Sequence, residues 1–246
     1  MIRIAWISAA LFVLCIPLFL VSTSVIWAIN STGLYERGFE KYDISLTTGI
    51  NQEDLRQVGA DLRRYFNIRS EALSVRARVL GVEREIFNQR EILHMRDVKR
   101  LVWIVYCLAT VSGAYLLLAT AVGVLARPQF SQEASRLCIW GGGLTIGLVV
   151  VIGLFALVGF DTLFLKFHQF SFSNDLWQLD KRSDYLVMIF PQEFWQDATI
   201  WVSTRAVAGA GLLVAVFGSY LAYKRWKQNR ATTITVDAGE LGQPEA

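Results

Sequence analysis

The chain has 246 residues, of which 54% are hydrophobic and only 18% are charged, and its net charge is +3. Such an apolar chain is not an ordinary soluble domain, and so small a positive charge gives no reason to expect a nucleic-acid partner. A helix needs about 20 apolar residues to cross the hydrocarbon core of a membrane. Four stretches are long enough: residues 4–29, 101–125, 137–160 and 200–223. We therefore predict an all-α polytopic membrane protein with four transmembrane helices.

The first apolar stretch is too long for a cleaved signal peptide. The apolar region of a signal runs about 7–15 residues, whereas this stretch runs about 25 residues behind Arg3. We interpret residues 1–29 as the first transmembrane helix.

Residues 30–100 form a predicted extracytoplasmic segment between the first two spans, which we call the cap. Its first part, NSTGLYERGFEKYDISLTTGI, has no sustained period and is interpreted as an extended segment. The next part, NQEDLRQVGADLRRYFN, predicts an amphipathic helix with Asn51 as its N-cap, because Leu55, Val58, Leu62 and Tyr65 recur at helical spacing.

A second helix is predicted to begin at Asn88, since Asn88 followed by Glu91 resembles a capping box. Neither glycine nor proline interrupts the chain from there into the second span at 101–125, so one continuous helix is expected. His94, Asp97 and Leu101 share one face of it. His94 precedes Leu101 by seven residues, or about 10 Å, which places its imidazole at the depth of lipid headgroups.

Charge distribution gives the predicted topology. The connector at 126–136 carries Arg127 and Arg136 against Glu133, and the tail at 224–246 opens with four basic residues. Short basic segments stay in the cytoplasm, so both termini and this connector are expected inside. Within the third span, at 137–160, the run Gly141–Gly143 predicts close helix packing.

Residues 161–199 form a predicted structured loop at the outer face, with six acids and three bases. His168, one of only two histidines in the chain, lies in this loop among several phenylalanines. An aromatic membrane belt accounts for the phenylalanines. It does not account for the polar cluster that includes Ser173 and Asn174. A short helix is predicted after Ser183, and the fourth span follows at 200–223.

The three cysteines, at positions 15, 107 and 138, all fall inside predicted spans. A cysteine there is typically a small apolar filler, so a cysteine nucleophile is not expected.

The topology brings both histidines to one membrane surface. A histidine with a pKa near 6.5 is the usual general acid or base at physiological pH. Because no serine or cysteine nucleophile is evident, the pair suits a reaction in which the substrate supplies its own nucleophile. Asp97 could orient the imidazole of His94. The alternative function of these residues is a metal site built from both histidines and a carboxylate. It ranks lower, because only one HxxD pair and one further histidine are available as ligands. We therefore expect no metal and no cofactor.

The strings LHMRDVKRL, FHQFSFSNDLWQLD and SDYLVMIFPQEFWQDAT, with GLYERGFEKYDISLTTGI after the first span, resemble the bacterial lipoprotein intramolecular transacylases. The resemblance implies transfer of the sn-2 acyl chain of a diacylglyceryl-cysteine to the α-amino group of that cysteine. It implies a diacylated lipoprotein substrate within membrane lipid, and a site at the outer face of the bacterial cytoplasmic membrane. By this resemblance His94 and His168 are the catalytic pair, Asp97 supports His94, and Ser173 and Asn174 donate hydrogen bonds to the substrate.

Three other functions compete with this interpretation. A metal-dependent membrane hydrolase would hold a metal at the histidines. A scaffold or accessory subunit would use the cap to recruit a partner and would tolerate substitution of the histidines. A transporter is disfavoured, because no ionisable residue is placed centrally in the middle two spans.

Overall fold

The computed structural model describes residues 2–69, 73–127 and 129–240, with side chains over 6–69, 73–127 and 129–230. Over these residues it contains eight helices and one β-hairpin. In chain order these are α1 Ile2–Asn30, α2 Thr32–Lys41, α3 Ile44–Thr48, α4 Gln52–Asn67, β1 Arg76–Val79, β2 Val82–Glu85, α5 Gln89–Ala126, α6 Phe130–Ser171, α7 Tyr185–Ile189 and α8 Gln192–Glu240.

Helices α1, α5, α6 and α8 are long and apolar enough to cross a membrane, and they confirm the predicted four-span polytopic fold. Helix α1 packs against the other three, and the most extensive helix pair is α6 with α8. At 1.5 Å per residue, the 38 residues of α5 extend about 57 Å, well beyond the roughly 30 Å hydrocarbon core. The two ends of such a helix therefore project past the apolar layer.

Helix α6 changes direction at Gly159, whose backbone is not helical (φ −151°, ψ 51°). The helix then resumes and carries His168 near its end, where a loop had been expected. Near the break, Gln196 of α8 donates a hydrogen bond to the carbonyl oxygen of Ala156 at 3.3 Å. Gln192 also donates to the Asp161 carboxylate, so α8 contacts α6 on both sides of Gly159.

The prediction that residues 30–50 are extended is wrong, because they form α2 and α3. Ser31 caps α2 by accepting a hydrogen bond from the backbone N–H of Leu34 at 3.3 Å. The helical signal was present but short, since Tyr35, Gly38 and Phe39 face the protein interior at i, i+3 and i+4 spacing.

The hairpin of β1 and β2 was not predicted. Its two strands pair antiparallel, and residues Leu80 and Gly81 at the turn both have positive φ (50° and 85°). Alternation of apolar and charged residues through Val75, Ala77 and Val79 was the available signal. Leu80 occupies the first turn position, where asparagine, aspartate or glycine usually marks such a turn. The turn was therefore missed.

An ion pair ties this hairpin to α4. Arg78 contacts both carboxylate oxygens of Asp54, with Nε and one terminal nitrogen each at 3.0 Å. These hydrogen bonds hold the pKa of the Asp54 carboxyl below its usual value. The contribution of this pair to stability is therefore present above about pH 4 and is lost as the pH falls through the lowered pKa.

The main hydrophobic core lies in the cap and the loop before α8, rather than between the spans. Its most deeply buried side chains include six from α2, α3, α4 and α7: Phe39, Ile44, Leu55, Val58, Leu62 and Ile189. The predicted amphipathic helix with its Asn51 cap is confirmed as α4, and the predicted capping box is confirmed at the start of α5. The cap is thus a packed unit that holds the first turns of α5 in place.

The expectation of close helix packing at Gly141–Gly143 is confirmed for the first two glycines. A Cβ on Gly141 would lie 2.4 Å from Cδ1 of Ile16 on α1, and one on Gly142 would lie 2.7 Å from Val214. A Cβ on Gly143 would meet no atom within 4 Å.

This contrast gives a matched pair of substitutions. We expect Gly141→Ala to lower the free energy of unfolding by about 1–3 kcal/mol, because the methyl group must displace Ile16. Gly143→Ala should leave it unchanged or raise it slightly, since alanine favours helix. Thermal unfolding in detergent measures both, and equal midpoints for the two variants would contradict the packing seen at Gly141.

Two of the three cysteines, Cys15 and Cys138, are buried in the bundle, as expected of small apolar fillers. Cys107 is instead exposed on the apolar surface of α5.

Candidate active site

The start of α5 is fixed to the loop before α8 by Glu91, whose side chain is only 1% exposed. Its carboxylate accepts from the backbone N–H of Asn88 at 2.7 Å and from that of Leu186 at 2.6 Å. Asn88 in turn donates to Asp184 at 2.9 Å. His94 lies one turn further along α5, so these hydrogen bonds position its backbone.

His168 lies in the last turn of α6. Its Nδ1 is 2.8 Å from the carbonyl oxygen of Phe164. A carbonyl oxygen only accepts, so Nδ1 carries the hydrogen in this contact. In the neutral ring the lone pair is therefore on Nε2.

The structure brings the two histidines together. Their ring centroids are 6.1 Å apart with an angle of 30° between the planes. Phe172 lies against both rings, with its ring centroid 5.1 Å from that of His94 and 5.6 Å from that of His168. The ring centroids of Trp177 and Phe164 lie 5.2 Å and 4.3 Å from that of His168. The two imidazoles thus share one aromatic-walled site.

Both histidines are shielded from solvent, with exposed fractions of 6% for His94 and 8% for His168. The Nδ1 atom of His94 is buried and has no hydrogen-bond partner. A buried polar atom without a partner is costly to stability. Nδ1 of His94 is thus a polar atom that no described residue satisfies, on the ring that lies beside His168.

The other three candidate residues lie beside this pair. Asp97 accepts a hydrogen bond from Asn174 at 2.9 Å and one from Arg100 at 3.0 Å, rather than bonding to Nδ1 of His94. Asn174 also accepts from the backbone N–H of Leu176 at 3.0 Å. Ser173 is exposed at the surface of the same turn. Asp97 and Asn174 therefore join α5 to the loop that follows His168.

Sequence reasoning missed several residues of this site. The capping role of Glu91 was visible in the sequence, but its bond to Leu186, 95 positions away, was not. Arg90 also donates to the backbone carbonyl of Asp175 at 2.5 Å. The ring of Trp177 lies against that of His168. Each of these contacts joins segments distant in the chain, so no local spacing marks them.

The donor set is small for a resident metal. Among the residues that the structure describes, no three histidine, cysteine, aspartate or glutamate side chains are grouped closely enough to hold an ion. Asp97, three residues beyond His94, is already engaged by Asn174 and Arg100, and Glu91, three residues before it, accepts from two backbone N–H groups.

Solved structures with the same fold come from Bacillus cereus. The membrane-integral lipoprotein intramolecular transacylase Lit of that organism superposes with a TM-score of 0.80 at 16% identity, over 92% of this chain and 100% of that chain. A variant of it with one histidine replaced by alanine superposes with a TM-score of 0.74 at 15% identity, over 91% and 96%.

Two comparisons of the sequence, with one relative and with one family model, give matches. An uncharacterised protein of Aquifex aeolicus is 30% identical over 121 residues, or 48% of this chain, and the alignment spans about half the length of that curated relative. The family model described as lipoprotein intramolecular transacylase Lit matches residues 10–195, which include both histidines and the whole cap. The chain therefore belongs to the lipoprotein intramolecular transacylase family.

Proposed function

We propose that the protein moves the sn-2 acyl chain of a diacylglyceryl-cysteine lipoprotein to the α-amino group of that same cysteine. The product is an N-acyl lyso-lipoprotein. The observation that carries the proposal is the pair of buried histidines, 6.1 Å apart, in a chain of this family. The substrate supplies both the nucleophilic amine and the electrophilic ester, so the reaction uses no cofactor.

The reaction forms one bond and breaks another. The α-amine nitrogen attacks the carbonyl carbon of the sn-2 ester, and the carbonyl electrons move onto oxygen as the C–N bond forms. The tetrahedral intermediate then collapses, and the C–O bond to glycerol breaks. The proton lost by the amine ends on the departing glycerol oxygen, so no water or further reactant is consumed.

His168 is the proposed base. Its Nδ1–H is held by the carbonyl oxygen of Phe164, which leaves the Nε2 lone pair free to accept the proton of the attacking amine. Burial lowers the pKa of the His168 imidazole and the hydrogen bond to Phe164 opposes that effect, so the ring is neutral near pH 7 and its Nε2 lone pair is available. His168 can then return the proton to the glycerol oxygen.

His94 is the proposed donor to the developing oxyanion. Its Nδ1 has no partner, which is consistent with a neutral ring whose hydrogen is on Nε2. A positioned donor of this kind stabilises a tetrahedral oxyanion more strongly in a water-excluded site than in water. The aromatic residues around both rings supply that exclusion.

Asp97 and Asn174 are proposed to hold the loop after His168 against α5 through their mutual hydrogen bond. Ser173, exposed on the same turn, is assigned to contact with the substrate. The charge pattern further supports cytoplasmic termini, with the cap and the histidines at the outer face of a bacterial membrane.

An isotope-crossover experiment tests the transfer. The purified protein is given two synthetic diacylglyceryl peptides in one vesicle population: one with a heavy peptide and light acyl chains, the other with the labels reversed. We expect mass spectrometry to find N-acyl lyso peptides that retain their original pairing of labels. Crossed products would show intermolecular transfer, and unchanged peptides with a folded protein would contradict acyl transfer altogether.

A further inference from the structure

A cationic cleft of about 380 Å³ lies at the end of the bundle that carries the cap. Its walls come from α2 and from the beginning of α8, whereas the histidines lie on α5 and α6. Three cations line it, Arg37, Lys41 and Arg205, against the single carboxylate of Asp197. The cleft therefore has a surplus of two positive charges.

The carboxylate is already occupied. Asp197 accepts from Lys41 at 2.5 Å and from the hydroxyl of Tyr42 at 2.8 Å. Lys41 and Asp197 thus neutralise one another, and the two arginines remain without a carboxylate partner among the described side chains. The surplus charge belongs to Arg37, which is exposed, and to Arg205.

Arg205 is held rigidly in the wall of the cleft. Its guanidinium lies 3.2 Å from the ring centroid of Trp201 and 4.7 Å from that of Trp27. Its Nε is buried and has no hydrogen-bond partner. Stacking fixes the plane of the guanidinium and makes no hydrogen bond, and its terminal N–H groups have no acceptor among the described residues. Because Arg205 lines the cleft, an anionic oxygen there could accept from those terminal groups.

The remaining wall is apolar and lies at a membrane boundary. Ile200 and Trp201 line the cleft at the beginning of the last span, and Trp27, at the end of the first, is 60% exposed. Tryptophan is enriched at the level of lipid headgroups. A ligand that fits this wall has an anionic head beside an apolar chain.

We propose that the cleft binds the phosphate headgroup of an anionic glycerophospholipid, with an acyl chain along Ile200 and Trp201. Arginine matches phosphate because its planar donors can form two parallel hydrogen bonds. The diacylglyceryl group of the proposed substrate has no phosphate, so this ligand is a different molecule from the substrate. Binding here stands independently of acyl transfer.

Native mass spectrometry of the full-length protein in detergent tests the proposal. We expect phosphatidylglycerol to be retained about tenfold more than phosphatidylcholine with the same acyl chains, since only the former carries a net negative charge. Arg205→Gln and Arg37→Gln should each lower that retention about tenfold. Arg37 is exposed and pairs with no carboxylate among the described side chains, so its variant remains informative if Arg205→Gln fails to fold.

Arg230→Gln is the matched control, because Arg230 also stacks on a tryptophan of α8, Trp226, at 5.2 Å, but near the opposite end of that helix. It should leave retention unchanged. Equal retention of the two lipids, or equal losses in Arg37→Gln and Arg230→Gln, would overturn the proposal. Displacement of the lipid by an equal concentration of inorganic phosphate would also overturn it, since that result identifies a site for free anions.

Discussion

Replacing His168 with alanine should abolish formation of the N-acyl lyso product while the protein stays folded in the membrane. General acid–base catalysis contributes about a hundredfold to ten-thousandfold in rate, and His168 is proposed to serve as both base and acid. His94→Ala should cost about a hundredfold or more, because one donor to the oxyanion is lost. The readout is mass spectrometry of the N-terminal peptide of one abundant lipoprotein, from a host that lacks its own N-acylating enzymes.

Lys166→Ala is the matched control, since Lys166 is an exposed residue on the same segment of α6 and hydrogen-bonds to Gln169 at 3.2 Å. It should convert the lipoprotein as the wild type does, at matched membrane levels. Full conversion by either histidine variant would reject acid–base catalysis by this pair. A scaffold role, or another site for the chemistry, would then take precedence.

Glu91→Ala should lower the free energy of unfolding by about 3 kcal/mol. The substitution removes a helix cap worth about 1 kcal/mol, and it leaves the buried N–H of Leu186 without its charged acceptor. Activity should fall with it, because the same carboxylate positions the turn before His94 and the segment that leads into α7. Thermal unfolding in detergent and the lipoprotein assay measure the two effects.

Two further variants test whether the buried hydrogen bonds of Glu91 cause the loss of stability. Glu91→Gln keeps an oxygen acceptor and should recover much of the lost stability. Glu83→Ala removes an exposed carboxylate that pairs with Arg76 at 3.0 Å on the hairpin, and a surface pair is worth at most about 1 kcal/mol. If Glu83→Ala were as destabilising as Glu91→Ala, the buried hydrogen bonds of Glu91 would not be the reason.

The four spans, α4 and the capping box of α5 could be predicted because each depends on a local pattern. Apolar length identifies a span, 3.6-residue spacing identifies α4, and Asn88 with Glu91 marks a helix start three positions apart. The pairing of His94 with His168 followed from topology alone, since both histidines were expected at one membrane surface. Their separation and their aromatic walls could not be obtained that way.

The rest depends on contacts between distant segments. Helix α2 was missed because Gly33 and Gly38 lower its helical propensity. The reason for a glycine at position 38 is a contact with a distant residue, since a Cβ there would lie 2.4 Å from the ring of Phe194. The bond from Asn174 to Asp97 spans 77 positions, and that from Leu186 to Glu91 spans 95. No window of sequence contains both partners of either pair.

The break at Gly159 affects the two histidines differently. His94 lies on an unbroken helix, whereas His168 lies nine residues, or about 14 Å, beyond the bend in α6. A difference of about 10° in the bend at Gly159 would displace His168 by about 2 Å. The distance between the imidazoles therefore depends on that bend angle, and the hydrogen bonds that Gln192 and Gln196 donate to α6 on either side of Gly159 help to fix it.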